Sequence, residues 1–330
     1  MNKKAITILA AILTGACTMQ MAAQDLAGER FPVGSYSPST NINRNGYPRV
    51  LHDASVMFQV RAPQAQSVQI DLGGFKYDMT KGQDGSWSVT TKPQETGFHY
   101  YSLIIDGVSV ADPASQSFYG CGRWSSAIEI RGEGMDIYEM RDVPHGEVHT
   151  VYYESKLEGT WRPLMIYTPP SYNASKDTFP VVYIQHGGGE DHRGWMEQGR
   201  TAQIIDNLIA AGKAVPMVVV SANSNVRSRN GGMAGGYNWQ GMQAFRTELI
   251  ESILPFVEKN YRVRSDRKGR AMCGLSMGGG QDPRIAYTRN IVKTMRDNRV
   301  DVRFNSYPGD HEWQVWRKSL HEFAQYLFKQ

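Results

Sequence analysis

The sequence predicts two units in series: a small all-β sandwich over residues 27–142, then an α/β unit over 146–330 built on a mostly parallel sheet. Three observations carry that division. Val56, Phe58 and Val60 alternate with polar residues, as do Val68, Ile70 and Leu72, and a period of two marks a half-buried strand. Asp84-Gly85 and Asp106-Gly107 fall between apolar runs, where a hairpin turn needs residues that accept positive φ. Beyond Val143-Pro144-His145-Gly146 strands alternate with helical patterns, which indicates a parallel sheet covered on both faces. At 330 residues the chain is long enough to bury two cores.

The elements follow in order. Phe31 to Arg49 is rich in Pro, Ser, Asn and Gly and reads as extended. Trp87 and Val89 follow the first Asp-Gly turn, and Tyr101–Ile105 precedes the second, with Val108 and Val110 after it. In the α/β unit, strands are expected at Leu164–Tyr167, Val181–Ile184, Met217–Val220 and Ala271–Cys273. Ile204, Ile205, Leu208 and Ile209 share one face of a helix over Thr201–Ala211, which Gly212 stops. Phe245, Leu249, Ile253 and Phe256 mark a second helix over Ala244–Lys259. Ile285 to Met295 outlines a third, Val300, Val302 and Phe304 a strand, and Trp313, Trp316, Leu320, Phe323 and Leu327 a last helix.

Composition narrows the function class. An apolar fraction of 41% and a charged fraction of 21% are those of a soluble globular protein. Net charge is +4 with no basic run, so no nucleic-acid partner is expected. Residues 1–24 read as a signal peptide: Asn2-Lys3-Lys4, a short apolar core from Ala5 to Leu13, then small residues. The expected localisation is secreted or periplasmic, with Cys17 as a lipoprotein anchor point as the alternative to cleavage near Gln24. No segment is a transmembrane candidate. Cys121 and Cys273 are expected to be free, buried thiols.

The chemistry centres on Gly274-Leu275-Ser276-Met277-Gly278, which follows an expected strand. Gly-x-Ser-x-Gly after a strand is the nucleophile elbow of α/β-hydrolases, where flanking glycines leave room for a turn that exposes the serine. A serine hydroxyl needs a base to remove its proton. His311, in the Pro308-Gly309-Asp310-His311 loop, has the best position among eight histidines. Acyl transfer also needs donors for the oxyanion, and His186-Gly187-Gly188-Gly189 follows the Val181–Ile184 strand. The amides of Met277 and of Gly187 or Gly188 are the candidates. No Gly-Lys-Ser/Thr follows these glycines, so they are not a phosphate cradle. No metal or cofactor is expected, and His145 and His149 read as structural. Tyr237, Trp239 and Trp313 are expected to touch substrate, with Trp195 also near the groove and Trp316 in the core.

Together these motifs resemble carbohydrate esterase family one, the esterase D-like feruloyl and acetyl-xylan esterases, in its secreted two-domain form. The resemblance rests on His186-Gly187-Gly188-Gly189-Glu190, the elbow with Gly279, and Pro308-Gly309-Asp310-His311-Glu312-Trp313. In the first unit it rests on Gly97-Phe98-His99-Tyr100-Tyr101, Asp112-Pro113 and Phe118-Tyr119-Gly120, which resemble an early-set immunoglobulin-like domain akin to family-48 carbohydrate-binding modules. It implies Ser276 as nucleophile, His311 as base and Asp282 as acid, acting on acylated plant polysaccharide.

One departure accompanies it. In the family roughly fifty residues separate nucleophile from acid, whereas Asp282 stands six positions after Ser276. Family-like sequence resumes at Gln281 directly after Gly280. The expected fold is therefore an α/β hydrolase with an incomplete, shortened parallel sheet, preceded by a small immunoglobulin-like sandwich. On a continuing helix Asp282 would lie about 9 Å along the axis from Ser276, pointing away from the imidazole. Two outcomes stay open: an active serine esterase, or a catalytically impaired glycan-binding remnant of one.

Overall fold

The computed structural model describes residues 31–227, 239–275, 297, 307 and 312–329. The first unit runs β1 (Arg49–Val50), β2 (Val56–Arg61), β3 (Val68–Leu72), β4 (Phe75–Asp78), β5 (Thr80–Lys81), β6 (Ser86–Thr90), β7 (Gly97–Ile105), β8 (Val108–Val110), β9 (Ser117–Gly120) and β10 (Arg123–Ile130). One sheet has the order β1-β2-β6-β5 and the other β4-β3-β7-β10-β9, with β8 added to β7. Asp106 and Gly107, with φ of 48° and 85°, turn β7 into β8, as a two-residue hairpin loop requires. Between the sheets Val56, Phe58 and Trp87 meet Ile70, Leu72, Leu103 and Ile128. Alternation thus placed Val56 and Phe58 of β2 and Val68, Ile70 and Leu72 of β3 on the buried face, with Val60 half-buried.

The second unit runs β11 (Glu147–Ser155), β12 (Thr160–Thr168), β13 (Val181–Gln185), α1 (Thr201–Ala210), β14 (Val218–Ala222), α2 (Trp239–Glu248), α3 (Leu254–Asn260), β15 (Arg270–Gly274) and α4 (Trp313–Ala324). Its sheet has the order β11-β12-β14-β13-β15. β13 lies parallel to both β14 and β15, while β11 and β12 are antiparallel. The buried run Val181–Ile184 serves both faces, as a central parallel strand must. Val182 and Ile184 join the core with α1 and α4, and Val181 and Tyr183 join the core with Phe245, Ile253 and Val257.

Three expectations change. β11 pairs along the whole of β12, although only β12 carried a clear strand pattern. The helix expected over Ala244–Lys259 is interrupted by a π-helical turn at Leu249–Ile253. Pro255, just inside α3, has no N–H to give and its ring crowds the preceding turn. Both thiols are free, but Cys121 is exposed and Cys273 half-buried, because Cys121 occupies a left-handed turn position between β9 and β10. The expected helix over 285–295 and strand over 300–304 lie outside the described residues, as do the signal peptide and Cys17.

The two units share a core. Phe98, Phe118 and Ala127 of the sandwich cluster with Trp195, Trp313, Trp316 and Leu320. Arg317 of α4 is fully buried there. Its guanidinium donates to both oxygens of Glu129 on β10, at 2.7 and 3.1 Å, and to the Gln198 carbonyl at 2.8 Å. The Tyr138 ring lies 4.2 Å from the same guanidinium. A charge this deep needs both a partner and its hydrogen bonds satisfied, and this one has them across the domain boundary.

Candidate active site

The site forms where β13 and β15 end side by side. Gln185 pairs with Gly274 in parallel register, and the Leu275 N–H donates to the Gln185 carbonyl at 3.2 Å. Two chains leave the sheet from this one level: His186-Gly187-Gly188-Gly189 from β13 and Leu275, the residue before Ser276, from β15. Adjacent strands are about 4.8 Å apart, so the glycine loop stands against Leu275. The approach is close enough that a Cβ on Gly187 would fall 2.2 Å from Leu275 Cδ1. A side chain at this position would have to displace the Leu275 methyl.

The loop is fixed from beneath. His186 Nδ1 lies 2.7 Å from the Gly187 carbonyl, and its Nε2 accepts the Ser224 N–H at 3.0 Å. A backbone carbonyl only accepts and a backbone N–H only donates, so the imidazole carries its proton on Nδ1. Burial pushes its pKa down and keeps it neutral. The Gly187 N–H is also taken: it donates to Glu190 Oε2 at 3.2 Å. Of the two glycines proposed as oxyanion donors, Gly187 therefore has its amide engaged, whereas Gly188 is exposed.

Glu190 is itself buried. Burial pushes its pKa up to about 7, Asp191 adds to the rise, and the Gly187 amide and Trp313 indole oppose it. Next in the loop, Asp191 pairs with Arg193. His192 is held neutral, its pKa lowered to about 4 chiefly by burial. Among the described residues no set of three or more His, Cys, Asp or Glu side chains is placed to hold a metal ion. His145 reaches Asp206 at 3.1 Å, and Asp206 also accepts from Tyr167 and the Gly146 N–H. That bonding ties β12 to α1. His149 pairs with Glu147 on the surface.

Ser276, Met277, Asp282, His311 and Tyr237 lie outside the described residues, as does the side chain of Trp239, the residue that opens α2. Trp313 is described and corrects an expectation. It is 1% exposed, packed edge-to-face against Trp195 at 5.5 Å and Trp316 at 5.0 Å, and its indole N–H donates to the Tyr100 hydroxyl. Its ring belongs to the shared core, so substrate has no access to it. Trp195 is buried likewise, its N–H on the Gln185 carbonyl.

Sequence reasoning missed the part that the sandwich takes in this site. Gly122 donates its N–H to the Gly189 carbonyl at 2.8 Å. Gly189 has φ 73°, and a Cβ there would meet Gly122 N at 2.7 Å. Tyr100 accepts from Gln198 as well as Trp313. Beside this contact Trp124 is half-exposed, edge-on to Tyr119 at 5.7 Å and with the Arg193 guanidinium 4.6 Å from its ring. The one sequence signal was the run of Gly and aromatic residues from Phe118 to Trp124, which the hairpin turn alone also explains.

Residues 155–281 match the family described as "Putative esterase". An endo-1,4-beta-xylanase/feruloyl esterase of Xylanibacter ruminicola is 36% identical over 252 residues, covering 74% of this chain and 34% of that protein. An esterase of Mycobacterium tuberculosis is 33% identical over 126 residues, 36% of this chain and 25% of its own length. The chain thus spans between a quarter and about a third of the length of these relatives. Among solved structures, a ferulic acid esterase from Anaeromyces mucronatus has a TM-score of 0.53 at 20% identity, covering 58% of this chain and 95% of that one. The enterobactin esterase of Shigella flexneri has a TM-score of 0.59 at 15% identity, covering 83% and 93%. These likenesses show an esterase fold, and the chain is a relative of esterases.

Proposed function

We propose that the chain is a carboxylic ester hydrolase that removes feruloyl or acetyl groups from plant cell-wall polysaccharide, xylan foremost, through an acyl-enzyme on Ser276. The observation that carries the reading is the junction of β13 and β15, where the glycine loop and Leu275, the residue before Ser276, leave adjacent parallel strands at one level and meet at Gly187. Attack on an ester carbonyl needs a nucleophile and amide donors about 3 Å from the developing oxyanion, and this junction brings their two segments together. Ser276 attacks, His311 takes its proton and later returns it to the leaving alcohol, and the amides of Met277 and Gly188 receive the oxyanion. Asp282 is the acid that the spacing to His311 assigns. The polysaccharide assignment draws on the similarity to a protein named as both xylanase and feruloyl esterase. Export by the N-terminal signal, with or without a lipid at Cys17, suits a substrate outside the cell.

Replacing Ser276 by alanine abolishes turnover of aryl acetates and methyl ferulate under this reading; a variant that keeps the full rate overturns it. The second reading, an impaired glycan-binding remnant, draws on the elbow strand. Among the described residues β15 pairs on one side only, and Met272 is 51% exposed. The family match also ends at 281, beside the Gly280–Gln281 junction. This reading expects xylan binding without ester cleavage by the purified chain. Sequencing of the locus together with the intact mass of the protein shows whether a segment is absent between Gly280 and Gln281.

A further inference from the structure

Glu190 has no task in the reaction as written, yet it lies at the centre of the site's support. Its carboxyl is 4% exposed and accepts the Gly187 N–H. Its Oε2 also lies 3.5 Å from where a Cβ would sit on either Gly187 or Gly194. The Trp313 indole of α4 favours its charged form, and the negative charge of Glu190 in turn raises the pKa of the Tyr100 phenol on β7. The charged group acting on it is Asp191, of like sign, and Cys121 faces it from the β9–β10 turn. Among the described residues no cation pairs with this buried carboxyl, and a neutral amide would fill the space at lower cost. Groups so placed gather at functional sites.

We propose that Glu190 is a positioning residue: its carboxyl pins the Gly187 peptide with the N–H turned into the protein, which leaves exposed Gly188 to offer the oxyanion its amide. This rests on the ester-hydrolase reading. Trp313 of α4, whose indole also donates to Tyr100 of the sandwich, keeps the carboxyl in register. The sandwich is in this way part of the catalytic apparatus as well as a neighbour to it.

The test is Ser276-dependent turnover of an aryl acetate by E190A and E190Q in the full chain, with circular dichroism to confirm folding. Loss of a correctly set oxyanion donor costs about a hundredfold in kcat. We expect that loss in E190A with KM within about twofold of wild type, and recovery to within about tenfold in E190Q, whose amide oxygen accepts the same N–H. A kcat in E190A close to wild type, or folded E190Q as slow as E190A, overturns the proposal.

A second measurement reads the contact without activity. Labelling His carbonyl carbons and Gly nitrogens selects only His-Gly pairs, which here are 145–146 and 186–187. The Gly187 amide should titrate with a midpoint near neutral pH in wild type and lose that titration in E190Q. An amide that does not titrate in wild type overturns the proposal. Absence of Ser276-dependent turnover alongside a titrating amide instead overturns the ester-hydrolase reading and leaves the contact standing.

Discussion

Strand β7 builds two different cores from its two faces. Tyr101 and Leu103 point between the sheets of the sandwich, into a core made of sandwich residues alone. Phe98 and Tyr100 point the other way, into the cluster shared with α1 and α4. β10 divides similarly, with Ile128 and Ile130 in the private core and Ala127 and Glu129 on the shared side. The private core is mainly apolar, with the Tyr101 hydroxyl donating to the buried Asp112 carboxylate at its edge. The shared one contains an ion pair, a tyrosine hydroxyl that accepts two bonds, and a raised carboxyl. Apolar packing is enough to hold a sandwich together, whereas directional bonds fix one surface against another in a single register, and here that surface supports the glycine loop.

The largest expected effects test this contrast. Arg317→Met leaves Glu129 buried without its partner, a loss of about 3–5 kcal/mol by urea unfolding, and it lowers esterase activity as well. Pairing it with Glu129→Leu restores most of the stability, because no charge is then stranded. Leu103→Ala in the private core costs about 3 kcal/mol but leaves the kcat of the folded fraction unchanged. If both variants reduce kcat alike, the two cores do not differ in role.

A pH dependence sharpens the comparison. Unfolded, the Glu190 carboxyl ionises near 4.5; folded, it holds its proton to about 7. The folded state therefore binds the extra proton, and the stability this group contributes at low pH is lost as pH rises from 4.5 through 7. Glu190→Gln removes that loss, so relative to wild type the variant gains up to about 3 kcal/mol at pH 8 compared with pH 4.5. His192 works in the opposite sense: its pKa falls from 6.5 to about 4, so its contribution is present above 6.5 and lost as pH falls through 4. Thermal unfolding of E190Q and wild type at the two pH values separates these effects, and an unchanged difference between them refutes the assignment for Glu190.

The smallest effect concerns the seam itself. Gly189→Ala imposes a left-handed backbone on a residue with a Cβ and presses that atom onto Gly122, at a cost of about 2 kcal/mol. Activity should fall more than stability does, because the loop moves while both cores stay intact. Equal losses would mean that the Gly122–Gly189 contact merely packs.

Much of this was legible in the chain. Alternation located β2 and β3, the apolar run before Asp106-Gly107 located β7, the Asp-Gly pairs located turns, and the glycine loop was placed at the end of β13. β11 was not legible because its residues Glu147–Ser155 show no apolar alternation; its pairing with β12 supplies what the pattern lacks. The π turn before Pro255 was readable in principle from the proline alone. Trp313 was misjudged because a tryptophan after the histidine loop looks the same in sequence whether it faces substrate or core.

The sequence by itself determined that β2 and β3 have two faces, where the chain turns, and which segments carry the glycine loop and the Gly-x-Ser-x-Gly motif, since those depend on residues a few positions apart. Tertiary structure alone decided what covers each face. Glu129 meets Arg317, Tyr100 meets Trp313, and Gly122 meets Gly189 across long stretches of chain. Local pattern cannot encode such meetings, because burial and hydrogen bonding are settled by whichever surface folds back against a residue.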